Sequence, residues 1–413
     1  MKRDRMRILF VSENVTLAQV VRLVTLARAL DPEQFEIHFA CSEFPALCFS
    51  GTAFTQHVLY TLEPRAIDKA LRSGRRLYER STLERYVKAD LELLARVKPA
   101  LVVSDLRLSL TISAPLHGVR HAALINAYWS PSAARDGFPL PEHPIVRLLG
   151  EKIAARYFPK ALPTVFRYFA EPVNRLRKQY GLSPIGDLLA VLDHADFILY
   201  PDIPELTPVT HTSARHVFLG PVLWSPAATL PPEWTQANAH AERTPVYATL
   251  GSSGDVSVLP TVVRALGRLP LSVLLATARR AELHGLPPNI RRVDFAPGDE
   301  AARRSAFVIT NGGSSSGYQA LAEGTPVLGI PFNLDQYLAM DAIAKAGAGV
   351  LLRAGSLTER KLEDAVQKLL AGTHYREAAA RIAARMKSTD SADSFRNFVA
   401  RAIAEPALHA RAR

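Results

Sequence analysis

The chain has 413 residues, 48% of them apolar and 22% charged, with a formal net charge of +11. That length exceeds one ordinary hydrophobic core and suits two domains of roughly 100–200 residues each, while the composition excludes a disordered chain. The cationic excess is dispersed, as in "RSGRRLYERSTLERYVK"; without an interleaved aromatic platform it argues against nucleic acid and for an anionic substrate or a peripheral membrane contact.

"MKRDRMRILFVSENV" has a basic start, but its apolar run soon meets Ser12, Glu13 and Asn14, so no signal-peptide core is expected. No run of 18 apolar residues occurs either, and a cytoplasmic protein, peripheral to the inner membrane face where it meets lipid, is the expectation. "MRILFVS" reads as a strand, "TLAQVVRLVTLARAL" as an amphipathic helix and "FEIHFACS" as a second strand, together a βαβ unit. Cys41 and Cys48 are expected to be reduced thiols, and no Cys/His cluster has zinc-ligand spacing.

"LELLARVKPALVVSD" repeats the helix-to-strand pattern and ends at Asp105; "HAALINAY", "LDHADFILYPDIPEL" and "RHVFLGPVLW" complete a first half. Within it, residues 139–189 are rich in long basic and aromatic side chains and read as a helical insertion over one edge of the sheet that shapes a pocket. Tyr128 and Trp129 are placed to line its apolar wall. Residues 224–244, "WSPAATLPPEWTQANAHAERT", lack either period and read as the domain linker.

A second alternating half follows, with strands at "PVYATLG", "LSVLLAT", "RRVDFAP", "AFVITNGG", "TPVLGIP" and "GVLLRAG". Two of these strands exit into glycine-serine loops, Gly251-Ser252-Ser253-Gly254 and Asn311-Gly312-Gly313-Ser314-Ser315-Ser316. At the carboxyl end of a parallel strand such a loop aims backbone N–H groups and a helix N-terminus at one point, which suits a phosphate; two such loops suit a diphosphate. No G-x-x-x-x-G-K-[ST] and no G-x-G-x-x-G after the first strand occurs, so an ATPase or a dehydrogenase is disfavoured. Asp335 and Gln336, past another strand end, offer an acid and an amide for adjacent sugar hydroxyls.

The run "NGGSSSGYQALAEGTPVLGIPFNLDQ" resembles the donor-binding signature of family 1, UDP-glycosyltransferase-like enzymes. The resemblance implies an α/β protein of the GT-B type, two Rossmann-like doubly wound parallel-sheet domains facing a central cleft. It implies an acceptor-binding domain at 1–223, a donor-binding domain at 245–385, a C-terminal helix at 386–405 packing back on the first domain, and closure about the linker. It further implies that Ser252, Asn311, Gly312, Gly313, Ser315 and Ser316 surround the diphosphate of a UDP- or dTDP-sugar. Ala296 would lie near the base, Gln319 near the ribose, and Asp335 and Gln336 near the donor sugar. No metal or other cofactor is expected, and oligomeric state is left open.

The departures fall on reactive positions. Asn311 stands in place of a phosphate-contacting His, Gln319 in place of a ribose-binding Glu, and Gln19 in place of the His that serves the family as general base. Glutamine cannot accept the acceptor's proton. Three readings stay open: Asp105 or Glu13 acts as the base, the acceptor is an intrinsically better nucleophile such as a carboxylate or acidic phenol, or the protein binds a nucleotide sugar without transferring it. The leading expectation is an inverting glycosyltransferase acting on a small-molecule or lipid-like acceptor. Its alternatives are a non-catalytic nucleotide-sugar-binding partner and a sugar-nucleotide epimerase or hydrolase of the same architecture.

Overall fold

A computed structural model describes residues 5–239 and 243–404. The chain divides into two compact units: unit 1 comprises residues 1–135, 156–222 and 389–413, and unit 2 comprises 136–155 and 223–388.

The strands of unit 1 are β1 (Met6–Ser12), β2 (Phe35–Cys41), β3 (Thr55–Val58), β4 (Leu101–Asp105), β5 (Arg120–Leu124), β6 (Phe197–Tyr200) and β7 (His216–Phe218). They form one parallel sheet in the order β3-β2-β1-β4-β5-β6-β7. Central strands such as β4, "LVVSD", are buried throughout, as expected where helices cover both faces. The last helix, Ser391–Ala404, packs here: Phe395 lies 6.0 Å from Phe10 and Phe398 lies 5.2 Å from Phe197, ring centre to ring centre. Cys41 and Cys48 are free and buried, and burial pushes their thiols up to about 12 and about 11.

Unit 2 holds β8 (Thr244–Thr249), β9 (Leu271–Ala276), β10 (Ile290–Val293), β11 (Val308–Thr310), β12 (Val327–Gly329) and β13 (Gly349–Leu351). Its sheet is parallel in the order β10-β9-β8-β11-β12-β13. Each sheet thus reverses direction between its first and fourth strands, the switch point at which open α/β sheets leave a crevice.

Two boundaries differ from the sequence expectation. Residues 224–239 do not hang as a linker: Pro232–Ala239 is helical and Trp234 is buried, its indole N–H donating to the Ser272 carbonyl at 3.1 Å. Pro and Ala masked that helix, because one buried aromatic anchor leaves no period to read. Residues 240–242 lie outside the described residues. The helical insertion is present as Pro144–Leu149, Glu151–Gln179 and Leu188–Leu192, but its beginning, 136–155, belongs to unit 2. The tether is Glu142, 7% exposed, which accepts from the Tyr337 hydroxyl at 2.7 Å and pairs with Arg353 at 3.0 Å.

Candidate functional site

In unit 2 the switch point lies between β8 and β11, whose last residues, Thr249 and Thr310, are in register. Both strands end in the same device. The Thr249 hydroxyl accepts from Gly251 N–H at 3.1 Å and the Thr310 hydroxyl accepts from Gly312 N–H at 2.8 Å. Each glycine takes a left-handed φ, +58° and +77°. A threonine bonding the N–H two residues on closes a tight turn, and glycine supplies the φ that the turn requires.

Side chains then lock the two loops together. Asn311 Nδ2 donates to Ser253 Oγ at 3.2 Å while Asn311 Oδ1 accepts from Gly313 N–H at 3.1 Å. Gln336, 2% exposed, donates to the Ser253 carbonyl at 3.3 Å and accepts from Phe332 N–H at 3.0 Å. Space is short: a Cβ on Gly254 would lie 2.7 Å from Leu250 Cβ and 3.0 Å from Asn311 Cβ.

The helix Ser314–Ala322 starts from Gly313 with no side-chain cap bond, and Ser315 at its second position is exposed, as is Ser252 opposite. The first N–H groups of a helix have no intrahelical acceptor and carry the positive end of its dipole. Here that end and two exposed hydroxyl groups share one strand-end crevice.

Arg280 was missed by sequence reasoning. It follows β9, the neighbour of β8, and donates to the Gly254 carbonyl at 2.6 Å, so a permanent cation braces the first loop. Its signal, an arginine just past the end of a strand adjacent to the crevice, was present in "ATARRAEL".

The amide N–H groups of Gln319 are occupied within the protein. Gln319 donates to the Trp224 carbonyl at 2.8 Å and to Ser225 Oγ at 2.7 Å, and Ser225 donates to Asp299 at 2.6 Å. Gln319 therefore ties its helix to residues 224–225 and to the helix Gly298–Arg303, leaving its amide N–H groups unavailable to a ribose. Ala296 is buried just ahead of that helix, and Asp335 is exposed in the first turn of Leu334–Lys345.

In unit 1 the switch point lies between β1 and β4, and charge replaces glycine. Asp105 Oδ2 accepts from Arg22 Nε at 3.1 Å and pairs with Arg22 Nη2 at 2.8 Å. Arg22 Nη1 donates to Asn126 at 2.8 Å, and Asn126 donates to Asp202 at 3.1 Å. The chain of contacts runs along the carboxyl ends of β4, β5 and β6.

Glu13, expected as a candidate base, is a core group. It is fully buried, accepts from the Tyr86 hydroxyl at 2.6 Å and pairs with Arg107 at 3.3 Å; Arg107 also holds Asp90 at 2.8 Å. Burial raises the Glu13 carboxyl to about 7, against the opposing pull of Arg107. Burial disfavours the Arg107 cation, but Asp90 and Glu13 together hold its affinity for the proton above normal. A side chain enclosed in this way has no path to a substrate.

Gln19 also has a structural task. Its Oε1 accepts from Val15 N–H at 2.9 Å and from Thr16 N–H at 3.3 Å, completing a capping box with Thr16 at the start of Leu17–Arg28. A polar residue that caps the helix is compatible with the sequence there; a base is not supplied. Tyr128 is 5% exposed and Trp129 is half-buried against the apolar cluster around Ile112 and Ile125, so these rings are largely packing groups. Among the described residues, no group of three or more His, Cys, Asp or Glu side chains is arranged to hold a metal ion.

Two doubly wound parallel sheets are the architecture of the GT-B fold. The spinosyn rhamnosyltransferase SpnG complexed with thymidine diphosphate has this fold, with a TM-score of 0.67 at 19% identity over 95% of this chain and 100% of that one. Residues 276–395 match the family described as erythromycin biosynthesis protein CIII-like, C-terminal domain. A PGL/p-HBAD biosynthesis glycosyltransferase of Mycobacterium tuberculosis H37Ra is 44% identical over 380 residues, 92% of this chain and 88% of the relative. A PGL/p-HBAD biosynthesis rhamnosyltransferase of Mycobacterium bovis BCG is likewise 44% identical over 380 residues, 92% of this chain and 84% of the relative. The chain belongs to this PGL/p-HBAD biosynthesis family of glycosyltransferases, and it is an enzyme of that class.

Proposed function

We propose that the enzyme transfers a sugar from a UDP- or dTDP-sugar to a small-molecule or lipid-like acceptor with inversion at the anomeric carbon. The observation that carries this reading is the meeting of the Ser252–Gly254 and Asn311–Ser316 loops at the ends of adjacent strands, fastened by Asn311, Gln336 and Arg280. A diphosphate placed there would meet the N-terminus of Ser314–Ala322 and the hydroxyls of Ser252, Ser315 and Ser316. These groups are fixed before the reaction, so they stabilise the negative charge that grows on the leaving diphosphate without reorganising. Asp335 would take the donor sugar's hydroxyls and the Ala296 backbone the base; Asn311, Gly312, Gly313 and Gln336 shape the loops. The relative named a rhamnosyltransferase and the similar fold holding thymidine diphosphate favour dTDP-rhamnose among the donors.

The acceptor hydroxyl oxygen attacks the anomeric carbon, the bond from that carbon to the diphosphate oxygen breaks, and the hydroxyl proton passes to Asp105. Asp105, itself 2% exposed, takes this role because it lies at a strand end beside the partly exposed Arg22, whereas Glu13 is locked between Tyr86 and Arg107 and Gln19 caps a helix. The ion pair with Arg22 holds the Asp105 carboxylate in place, and positioning carries more of the acceleration than proton transfer does. That same ion pair favours a second reading, binding without transfer.

Release of free nucleoside diphosphate from UDP- and dTDP-sugars separates the two. Transfer requires slow donor hydrolysis that an acceptor accelerates, loss of hydrolysis in Gly313→Trp, and a reduced rate with retained donor affinity in Asp105→Asn. Donor affinity with no release in any acceptor pool would establish binding alone, and absence of affinity for either donor would sink both readings.

A further inference from the structure

Residues 136–155 leave the body of unit 2 as a strap with a fixed root. At the root, Glu142 N–H donates to the Phe332 carbonyl at 3.1 Å, Arg353 donates to the Leu140 carbonyl at 2.8 Å, and Glu142 is enclosed with Tyr337 and Arg353. Phe332 lies just ahead of the helix Leu334–Lys345, whose first turn carries Asp335 and Gln336. Beyond the root, the strap becomes the helix Pro144–Leu149, turns at Gly150, whose φ is +79°, and enters Glu151–Gln179.

The surface from this strap into the first turns of the helix Glu151–Gln179 is unlike the rest of the described chain. Ten large apolar side chains are exposed among the described residues, and six of them lie between positions 145 and 168: Ile145, Leu148, Leu149, Ile153, Tyr157 and Tyr168. Leu148 is 83% exposed. Ile145, Leu148 and Leu149 are spaced to share one face of their helix, as are Ile153 and Tyr157 on the next. Scattered exposed apolar residues need no explanation, but a contiguous set does. The charges between them are one-sided: Arg147, Lys152, Arg156, Lys160 and Arg167 against Glu151 alone. Apolar side chains on a helix surrounded by basic residues match the two requirements of interfacial binding, burial in the acyl boundary and attraction to anionic headgroups.

We propose that the strap around Ile145–Tyr157 docks the enzyme on an anionic lipid surface. A neutral or cationic protein partner would leave the five basic groups uncompensated, whereas an anionic bilayer takes both the charge and the apolar face. The root gives the docking a consequence: Phe332, just ahead of the helix that bears Asp335, is hydrogen-bonded to the strap, so a docked strap would bring the sugar end of the donor site to the bilayer. This deepens the lipid-like acceptor reading of the proposed function and rests on that reading for its consequence only.

The test is co-sedimentation of the full chain with phosphatidylcholine vesicles, with and without phosphatidylglycerol, at low and raised salt. The wild type should pellet with the phosphatidylglycerol vesicles, less so at raised salt. Leu148→Glu should cut the bound fraction at least about tenfold, and the double variant Arg147→Glu, Lys152→Glu should erase the preference for the anionic lipid. A wild type that stays in the supernatant with both vesicles overturns the proposal, and so does Leu148→Glu binding as well as wild type. Light scattering that shows a dimer dissolved by Leu148→Glu and indifferent to vesicles would overturn it too, making the strap a contact between copies. Donor hydrolysis read on the same preparations keeps the claims apart: hydrolysis without vesicle binding overturns only the docking, and vesicle binding without hydrolysis supports the docking while overturning transfer.

Discussion

The two units share one sheet order through six strands, yet their strand ends are finished in opposite ways. Unit 2 ends β8 and β11 in threonine turns with glycine at the left-handed position, leaving a helix N-terminus and serine hydroxyls outward. Unit 1 gives the left-handed position after β1 and β4 to Asn14 and Leu106, at φ +57° each, and closes over a buried Glu13–Arg107–Asp90 cluster. Topology fixes where a crevice opens; the residues at the strand ends decide whether its polar groups face a ligand or one another. In unit 1 the Arg22–Asp105 pair lies at that switch point, with the Arg22 side chain 12% exposed and that of Asp105 3%.

Four substitutions would break or sharpen this contrast. The largest effect falls on the surviving acid of unit 1: Asp105→Asn should lower kcat by about 10²–10⁴-fold, the range of a lost general base, with donor affinity kept in titrations of the nucleotide sugar. Next is the core cluster. Arg107→Met leaves two carboxylates buried without their cation, which costs about 3–5 kcal/mol and would be read as a fall in the urea midpoint.

Third is a pH dependence with a definite sign. The Glu13 carboxyl is raised from 4.5 to about 7, so between those values the folded chain keeps a proton that the unfolded chain has released. Stability is therefore lost as pH rises through this window, by on the order of 3 kcal/mol. His121, lowered by burial to about 3, acts the other way and withdraws stability as pH falls below 6.5. Glu13→Gln should remove the first slope and keep the second in thermal melts against pH. The smallest effect belongs to unit 2: Asn311→Ala removes the bond to Ser253 and the turn at Gly313, which at about 1 kcal/mol should weaken nucleoside diphosphate binding roughly fivefold in calorimetry.

Much of this was legible in the sequence. The parallel strands read as apolar runs, and the glycine-serine exits read as strand-end turns because turn chemistry is local. Most of the features that the sequence did not show depend on distant partners, the local cap made by Gln19 being the exception. Nothing in "SEN", "KADL" and "DLRLS" announces that Glu13, Asp90 and Arg107 meet in one buried cluster. Gln19 and Gln319 stood at expected substrate positions, but their amides are used to cap one helix and to brace another. Residues 136–155 looked continuous with the insertion that follows, and long-range bonds such as those of Glu142 to Tyr337 and Arg353 tie them to unit 2.

The central claim is that a diphosphate is held by the paired loops of unit 2. Its most direct test is isothermal titration of dTDP, UDP and the corresponding monophosphates into wild type and Gly313→Trp, with chelator present throughout. The account predicts that a diphosphate binds wild type, that its monophosphate binds much more weakly, and that the variant binds neither while keeping its melting temperature. Equal affinity in the variant, or no preference for the second phosphate, would contradict it.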